Sequence, residues 1–439
     1  MPTAASSSAT RSATKPAAKS QRQFDVVLYG ATGFVGRQTA AYFAGHSDVK
    51  SSGLRWALAG RNQAKLEEVR NNTAGAENAG VAVAAADDIA ALNALAKNAR
   101  VVLSTAGPFA LYGEQLVAAC VRHGTHYVDI TGETPWVSGL IAQHHTAAAR
   151  QGTRIIPFCG FDSVPSDLGA FMLVQAMQAI YGMPCVDVKA AFSLKGGVNG
   201  GTLASLFNLM GSAQSAAMRN VFLLNPPGTQ PAHIAAHADP VMPAHDKQFN
   251  AWLGPFFMSV INTRVVRRSA ALLGNSVGYG EGNGADFRYQ EYLRVGRGLT
   301  AAAAASTLSG SMAISQLAMK LPAMRKLAAA LAPKAGYGPS VASMDGGSFR
   351  CELVATNAAG NEMRGLIADQ GDPGNRATTK MVCEAALCLA LECDSLPGGS
   401  TAGGVLTPAT GLGNTLMQRL RRAGVQLSVN ESATPYQSA

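Results

Sequence analysis

Between residues 24 and 158, short apolar runs alternate with stretches of helical periodicity, and that rhythm leaves few folds open. Residues 24–29, 54–59, 81–85, 101–104, 126–130 and 154–158 read as strands. Residues 34–44, 63–70, 89–97, 113–123 and 135–150 read as the helices between them. Strands separated by a helix cannot pair as hairpins, so they lie parallel in one sheet with the helices on its two faces. The expected fold class is α/β, with an N-terminal Rossmann-type doubly wound parallel sheet over residues 23–160.

After Gly160 the rhythm changes, which predicts a second α+β domain over 161–375. A helix over 166–180 and a strand over 186–194 lead to a glycine cluster at 196–201 that turns into another helix. Strand patterns return at 259–264 and 287–294, alanine-rich helices are expected over 299–332, and 349–356 pairs with 363–369 as a hairpin. C-terminal helices within 376–430 are expected to return to the first domain. Residues 1–22 and 431–439 read as tails, the first rich in Ser, Ala and basic residues without an apolar core of the secretory kind.

Composition narrows the function classes. Only 14% of the 439 residues are charged and 47% are hydrophobic, which suits a folded chain. Of the net charge of +9, Arg11, Lys15, Lys19 and Arg22 carry four in the leading segment, and no basic block with interleaved aromatics follows. Nucleic acid is therefore not an expected partner. The seven cysteines form no C-x-x-C pair and read as buried free thiols of a reducing, cytoplasmic compartment. Residues 299–319 carry no charge, but seven are alanine, and Leu308, Met312 and Met319 recur at near-helical spacing. With Lys320, Arg325, Lys326 and Lys334 following and no acid until Asp345, the stretch 299–334 fits either an alanine-rich helix of a soluble domain or a peripheral contact with an anionic membrane face.

The sharpest motif is Gly30-Ala-Thr-Gly33-Phe-Val-Gly36, placed directly after the first strand and opening a helix. Glycines let the chain turn tightly beside a pyrophosphate, and the helix N-terminus offers its free N–H groups. Gly30, Thr32, Gly33, Phe34, Val35 and Gly36 are the candidate phosphate-binding residues, with Arg37 able to add a contact. The second strand ends in Ala59-Gly60-Arg61-Asn62, without the carboxylate that would hold the ribose hydroxyls of NAD. Arg61, with Lys65 one turn on, suits the 2′-phosphate of NADP, so NADP is the expected cofactor. The small turn at Ala106, Gly107 and Pro108 falls where a nicotinamide would cross the sheet. Tyr112, Asp162 and Ser163 lie on the same carboxyl edge, where the first can donate a proton and the others orient a substrate. Asp167 reads instead as a cap of the helix beginning there. No Tyr-x-x-x-Lys occurs, and His233 and His237, at i,i+4 in a proline-bounded stretch, read as surface histidines; no metal is expected.

With these motifs, the chain resembles the saccharopine dehydrogenase-like oxidoreductases, in particular the trans-acting enoyl reductases. The matching residues are Gly30-Ala-Thr-Gly-Phe-Val-Gly36, Ala59-Gly-Arg61, Ala106-Gly-Pro-Phe109 with Tyr112-Gly-Glu114, Asp129-Ile-Thr-Gly-Glu133, residues 160–169, Gly200-Gly-Thr202 and residues 403–408. The resemblance implies an NADPH-dependent oxidoreductase that reduces a carbon–carbon double bond of a lipid or polyketide-type acyl chain, small or carried by a separate synthase. The free thiols favour the cytoplasmic side, and the 299–334 stretch makes the inner face of the plasma membrane one location. Two alternatives remain: a saccharopine reductase-like imine or ketone reductase, and a non-catalytic NADP-binding scaffold at a lipid surface.

Overall fold

The computed structural model describes residues 22–196, 213–280, 286–319 and 336–430, with isolated positions between 321 and 330. The Gly200-Gly-Thr202 motif, Lys320, Arg325, Lys326, Lys334 and the terminal stretches 1–21 and 431–439 lie outside the described residues.

The first six strands form where the rhythm places them: β1 (Phe24–Tyr29), β2 (Trp56–Gly60), β3 (Gly80–Val83), β4 (Ala99–Ser104), β5 (His126–Asp129) and β6 (Arg154–Ile156). A seventh, β13 (Gly404–Val405), comes from the far end of the chain, and the all-parallel order is β13-β6-β5-β4-β1-β2-β3. Val26, Val27, Leu28, Ala57, Leu58, Val101, Val102 and Leu103 are buried, because helices cover both faces of this sheet. The order reverses beside β1, so the carboxyl ends of β1 and β4 open a crevice between them. Arg22, at the end of the leading segment, is bound: its guanidinium reaches the Ala99 and His123 carbonyls and the Thr125 hydroxyl.

The second sheet is mixed. β7 (Cys185–Lys195), β8 (Ala244–Asp246), β9 (Ala251–Pro255), β10 (Arg288–Gly296), β11 (Ser348–Asn357), β12 (Glu362–Gln370) and β14 (Gln426–Asn430) take the order β14-β12-β11-β7-β10-β9-β8. The expected hairpin is present, with Thr356 opposite Glu362. Helix Val164–Tyr181 leaves the edge of the first sheet and packs under the second, and one apolar cluster runs through both. Of the segment 376–430, helix Thr378–Leu391 lies against β1, β4 and β5 and β13 joins the first sheet, whereas β14 joins the second.

The strand expected at 259–264 is instead the start of helix Ser259–Leu273. Val260, Ile261 and Thr263 bias the backbone toward a strand, but Arg264, Arg267 and Arg268 need helical spacing to reach their partners. Arg264 binds Asp239 and the Met218 carbonyl; Arg267 binds the Val221, His237 and Tyr289 carbonyls; Arg268 binds those of Leu224 and Val405. Three buried guanidinium groups therefore pin the proline-rich loop by its main chain, and tertiary bonds override local propensity. His237 is not on the surface: it is buried edge-on to Phe222, and burial with Arg267 beside it pulls its imidazole down to about 4.

Candidate active site

The cofactor half of the site is made of backbone. Gly30 has φ +85°, and its N–H and that of Ala31 bond the Ala59 carbonyl, tying the loop to β2. A Cβ on Gly36 would lie 2.1 Å from the Gly30 oxygen, so only glycine lets the helix pass this close to the strand. Gly33 stands at the N-cap of helix Phe34–Gly45 with no side chain capping it and no acid in the first turn. The free N–H groups and positive end of that helix are thus open to an anion. Arg37 is not part of that cradle. Its guanidinium spans the Thr32 and Gly336 carbonyls (2.8 and 3.0 Å), while the Phe34 ring abuts Gly338, so both tie the loop to a segment of the second half.

At the end of β2, Asn62 caps the next helix by accepting from the Lys65 N–H, which leaves Arg61 and the Lys65 ammonium exposed without a partner among the described residues. An uncapped helix, a cradle a Cβ would fill and a free guanidinium where the 2′-phosphate falls fit NADP.

Across the crevice, Ala106 packs against Gly30, where a Cβ would sit 2.9 Å from the Ala106 nitrogen. The turn continues through Gly107 and Pro108 into the short helix Phe109–Tyr112. Glu133 holds that helix: its buried carboxylate accepts from the Phe109 and Ala110 N–H groups at 2.8 and 3.0 Å. Asp129, at the end of β5, accepts from the Thr131 and Phe158 N–H groups and the Tyr127 hydroxyl; burial pushes its carboxyl up to about 7. Phe158 sits at φ +66°, a strained conformation for an aromatic residue, and its bond to Asp129 fixes the turn that follows β6.

That turn delivers the acid half. The Phe161 N–H bonds the Thr378 hydroxyl, and the half-buried Asp162 carboxylate lies over Gly132 beside Ile261. Asp162 has no hydrogen-bond partner among the described residues, and burial pushes its carboxyl up to about 6. Ser163 stands at the N-cap of helix Val164–Tyr181 but does not cap it. Its hydroxyl donates to Asn262 Oδ1 (3.0 Å), Asn262 Nδ2 donates to Glu291 (3.0 Å), and the Tyr289 hydroxyl donates to the same carboxylate (2.7 Å). Glu291 is fully buried and pushed up to about 7 by that burial. Asp167 does not cap its own helix either; it accepts from Ser269 and from the Ala409 N–H, capping the turn after β13. Tyr112 is 44% exposed, on the helix that Glu133 holds, while the Asp162 carboxylate lies over Gly132. Position at a strand end picks out Asp162 and Ser163 from sequence; Asn262 and Glu291 carry no such signal, and Glu133 shows its task only through the main-chain groups it bonds.

Fold and crevice define a dinucleotide-dependent oxidoreductase. Residues 26–156 match the family model of the saccharopine dehydrogenase NADP-binding domain. Over 426 residues the chain is 37% identical to a trans-acting enoyl reductase of Mycobacterium leprae, covering 92% of this chain and 97% of that one. A protein of the same name from Mycobacterium tuberculosis is 36% identical over 424 residues, with the same coverage. Among solved structures, the apo saccharopine dehydrogenase (L-Glu forming) of Saccharomyces cerevisiae aligns at TM-score 0.49 and 12% identity, over 93% of this chain and 99% of that one. The chain belongs to the trans-acting enoyl reductases of the saccharopine dehydrogenase-like group, and it is an NADPH-dependent oxidoreductase.

Proposed function

We propose that the protein reduces the carbon–carbon double bond of an enoyl thioester of lipid or polyketide type, free or carrier-bound, with residues 161–375 forming the substrate domain. The observation that carries this reading is the Asp162 carboxyl, unpartnered among the described residues and half-buried beside Ile261 on the edge where the crevice opens. NADPH, when bound, supplies a hydride, which in this reaction goes to the β carbon. The protein must then deliver a proton to the α carbon and keep water out. In this reading Asp162 gives that proton, because an apolar chain lying over it removes more water and favours the protonated carboxyl further. Ser163, fixed by Asn262, positions the Asp162 turn, and Tyr112 is the second candidate donor.

Imine reduction on an amino-diacid substrate is the competing reading. It calls for free cations to receive carboxylates, and the three guanidinium groups on helix Ser259–Leu273 are already bound to carbonyls and Asp239. What favours it is the same Asp162, which once ionised would stabilise an iminium. NADPH consumption on enoyl thioesters against cyclic imines separates the two. Full turnover of Asp162→Asn on an identified enoyl substrate would remove Asp162 as donor, and full turnover of Tyr112→Phe would remove Tyr112. A lipid-type substrate goes with the second part of the proposal, a peripheral contact of residues 299–334 with the cytoplasmic face of a membrane. Among the described residues no helix is long and apolar enough to cross one.

A further inference from the structure

Helix Gly298–Ala318 is apolar on two opposite sides, and only one of them is used. Ala301, Ala305 and Ser309 form the buried stripe, with Leu308 and Met312 half-buried beside it. That side lies on β9, where Gly254 leaves room for Leu308; a Cβ there would be 3.0 Å from it. Ile314 follows Ala305 by nine residues, about two and a half helical turns, so it points directly away from the core. It is 71% exposed, Leu317 is 66% exposed, and Leu299 on the same outer side is 89% exposed. Leu321, Met324 and Leu327 continue the series at steps of four, three and three residues and are exposed as well. A third of the large exposed apolar side chains described thus fall in one short segment, far more than the scatter a monomer surface carries.

The charge around this face selects what covers it. No Asp or Glu occurs between Glu291 and Asp345, whereas Arg297, Lys320, Arg325, Lys326 and Lys334 fall in that interval beside Arg294, which is paired with Glu352. Protein interfaces are anchored by aromatic and Arg side chains and carry a hydrogen bond every ~100–200 Å². The outer side of this helix offers Leu and Ile between Ala, Ser, Thr and Gly. We infer that this face lies in the plane of an anionic lipid surface, with Leu299, Ile314, Leu317 and Leu321 entering the acyl boundary and the exposed Arg297 at the start of the helix meeting the headgroups. The inference rests on the lipid-type reading above and adds to it the face, the orientation and the sign of the lipid charge.

The test is sedimentation of the full chain with vesicles of phosphatidylcholine alone or mixed with phosphatidylglycerol, for wild type and for Ile314→Ser/Leu317→Ser. NADPH titration of both proteins shows that the variant is folded, since neither residue belongs to the cofactor cradle. Wild type should sediment with the anionic vesicles and scarcely with the neutral ones, less so as salt rises, and the variant should lose about tenfold or more of that binding. Equal sedimentation of wild type and variant overturns the inference, as does binding to neither vesicle. A wild-type dimer that the variant converts to monomer, without vesicle binding, overturns it in favour of a second copy on this face. Turnover of soluble enoyl thioesters is scored separately, so vesicle binding without turnover would fault the proposed reaction and leave the surface standing.

Discussion

The two halves of the site are built in opposite ways. The cofactor half is main chain from neighbouring residues, with Gly30, Gly33 and Gly36 in one loop and Ala106 packed on Gly30. The acid half is side chains from three elements: Asp162 and Ser163 after β6, Asn262 on a helix about a hundred residues on, and Glu291 on β10 of the other sheet. A site of backbone tolerates no added atom but is indifferent to chemistry; one of side chains tolerates changes of shape and depends on which groups ionise. The largest effect is therefore expected at Gly36. Gly36→Ala puts a methyl 2.1 Å from a backbone oxygen that cannot retreat without moving β1, and should cost over about 3 kcal/mol at the loop. NADPH affinity, followed by nicotinamide fluorescence, should fall at least about a hundredfold; retained affinity would mean that the backbone half is less rigid than its packing implies.

The acid half should break in the opposite sense. Asp162→Asn keeps the shape and removes the proton, so kcat should fall roughly 10²–10⁴-fold while NADPH binding holds. Stability should move the other way. Because burial raises the Asp162 carboxyl to about 6, above its unfolded value of about 3.9, the folded state prefers the protonated form. The benefit is complete below about pH 4 and is lost as pH rises through 6. The variant escapes that loss, so its Tm relative to wild type should rise between pH 4 and 7. A variant that is both inactive and less stable at pH 7 would show that Asp162 holds the turn rather than serving the reaction.

The same division explains what could be read from the chain. Gly30 to Gly36, Arg61 and Ala106 to Pro108 are legible because each acts where its own strand ends, and strand ends follow from apolar periodicity. β13 is not legible: two residues carry no period, and their place beside β6 is set by a bond from the Leu406 N–H to Ile155 across the whole intervening chain. Helix Ser259–Leu273 misleads because β-branched residues mark its first turn, while the partners of its three arginines lie in loops with no pattern of their own. Asp167 misleads for a related reason. A carboxylate near a helix start caps that helix by local rule, yet here it bonds Ala409, brought in by the second half of the chain. Asp162 and Ser163 are visible by position, but the network behind Ser163 exists only after two domains have packed.

A smaller effect is expected at Arg61. Its guanidinium is exposed and unpartnered among the described residues, so Arg61→Ala leaves no buried group unsatisfied and should not disturb the fold. Loss of the charged bonds to a 2′-phosphate should cost about 10–100-fold in NADPH affinity and leave NADH unchanged. The two titrations together separate a phosphate contact from damage to the loop, which Gly36→Ala would inflict on both nucleotides alike.

The smallest effect on activity, and the finest test of the contrast, is expected at Glu291. Its carboxylate receives Asn262 Nδ2, which turns the Asn262 oxygen toward Ser163 and makes the Ser163 hydroxyl the donor. Glu291→Gln can keep its amide oxygen on Asn262 Nδ2 and turn its NH2 to the Tyr289 hydroxyl, which then accepts instead of donating, so kcat and NADPH affinity should stay within about tenfold of wild type. Ionisation is what the substitution removes. Burial holds the Glu291 carboxyl at about 7, above its unfolded value of about 4.3, so folded wild type gains from the protonated form below about pH 4 and loses that gain as pH passes 7. The variant should melt increasingly later than wild type from pH 5 to 8, and a difference between the two that does not change with pH would place the ionisation elsewhere. Asp162→Asn and Glu291→Gln would then share a stability signature and differ in turnover, as expected of one carboxyl that faces substrate and one that acts only through Asn262.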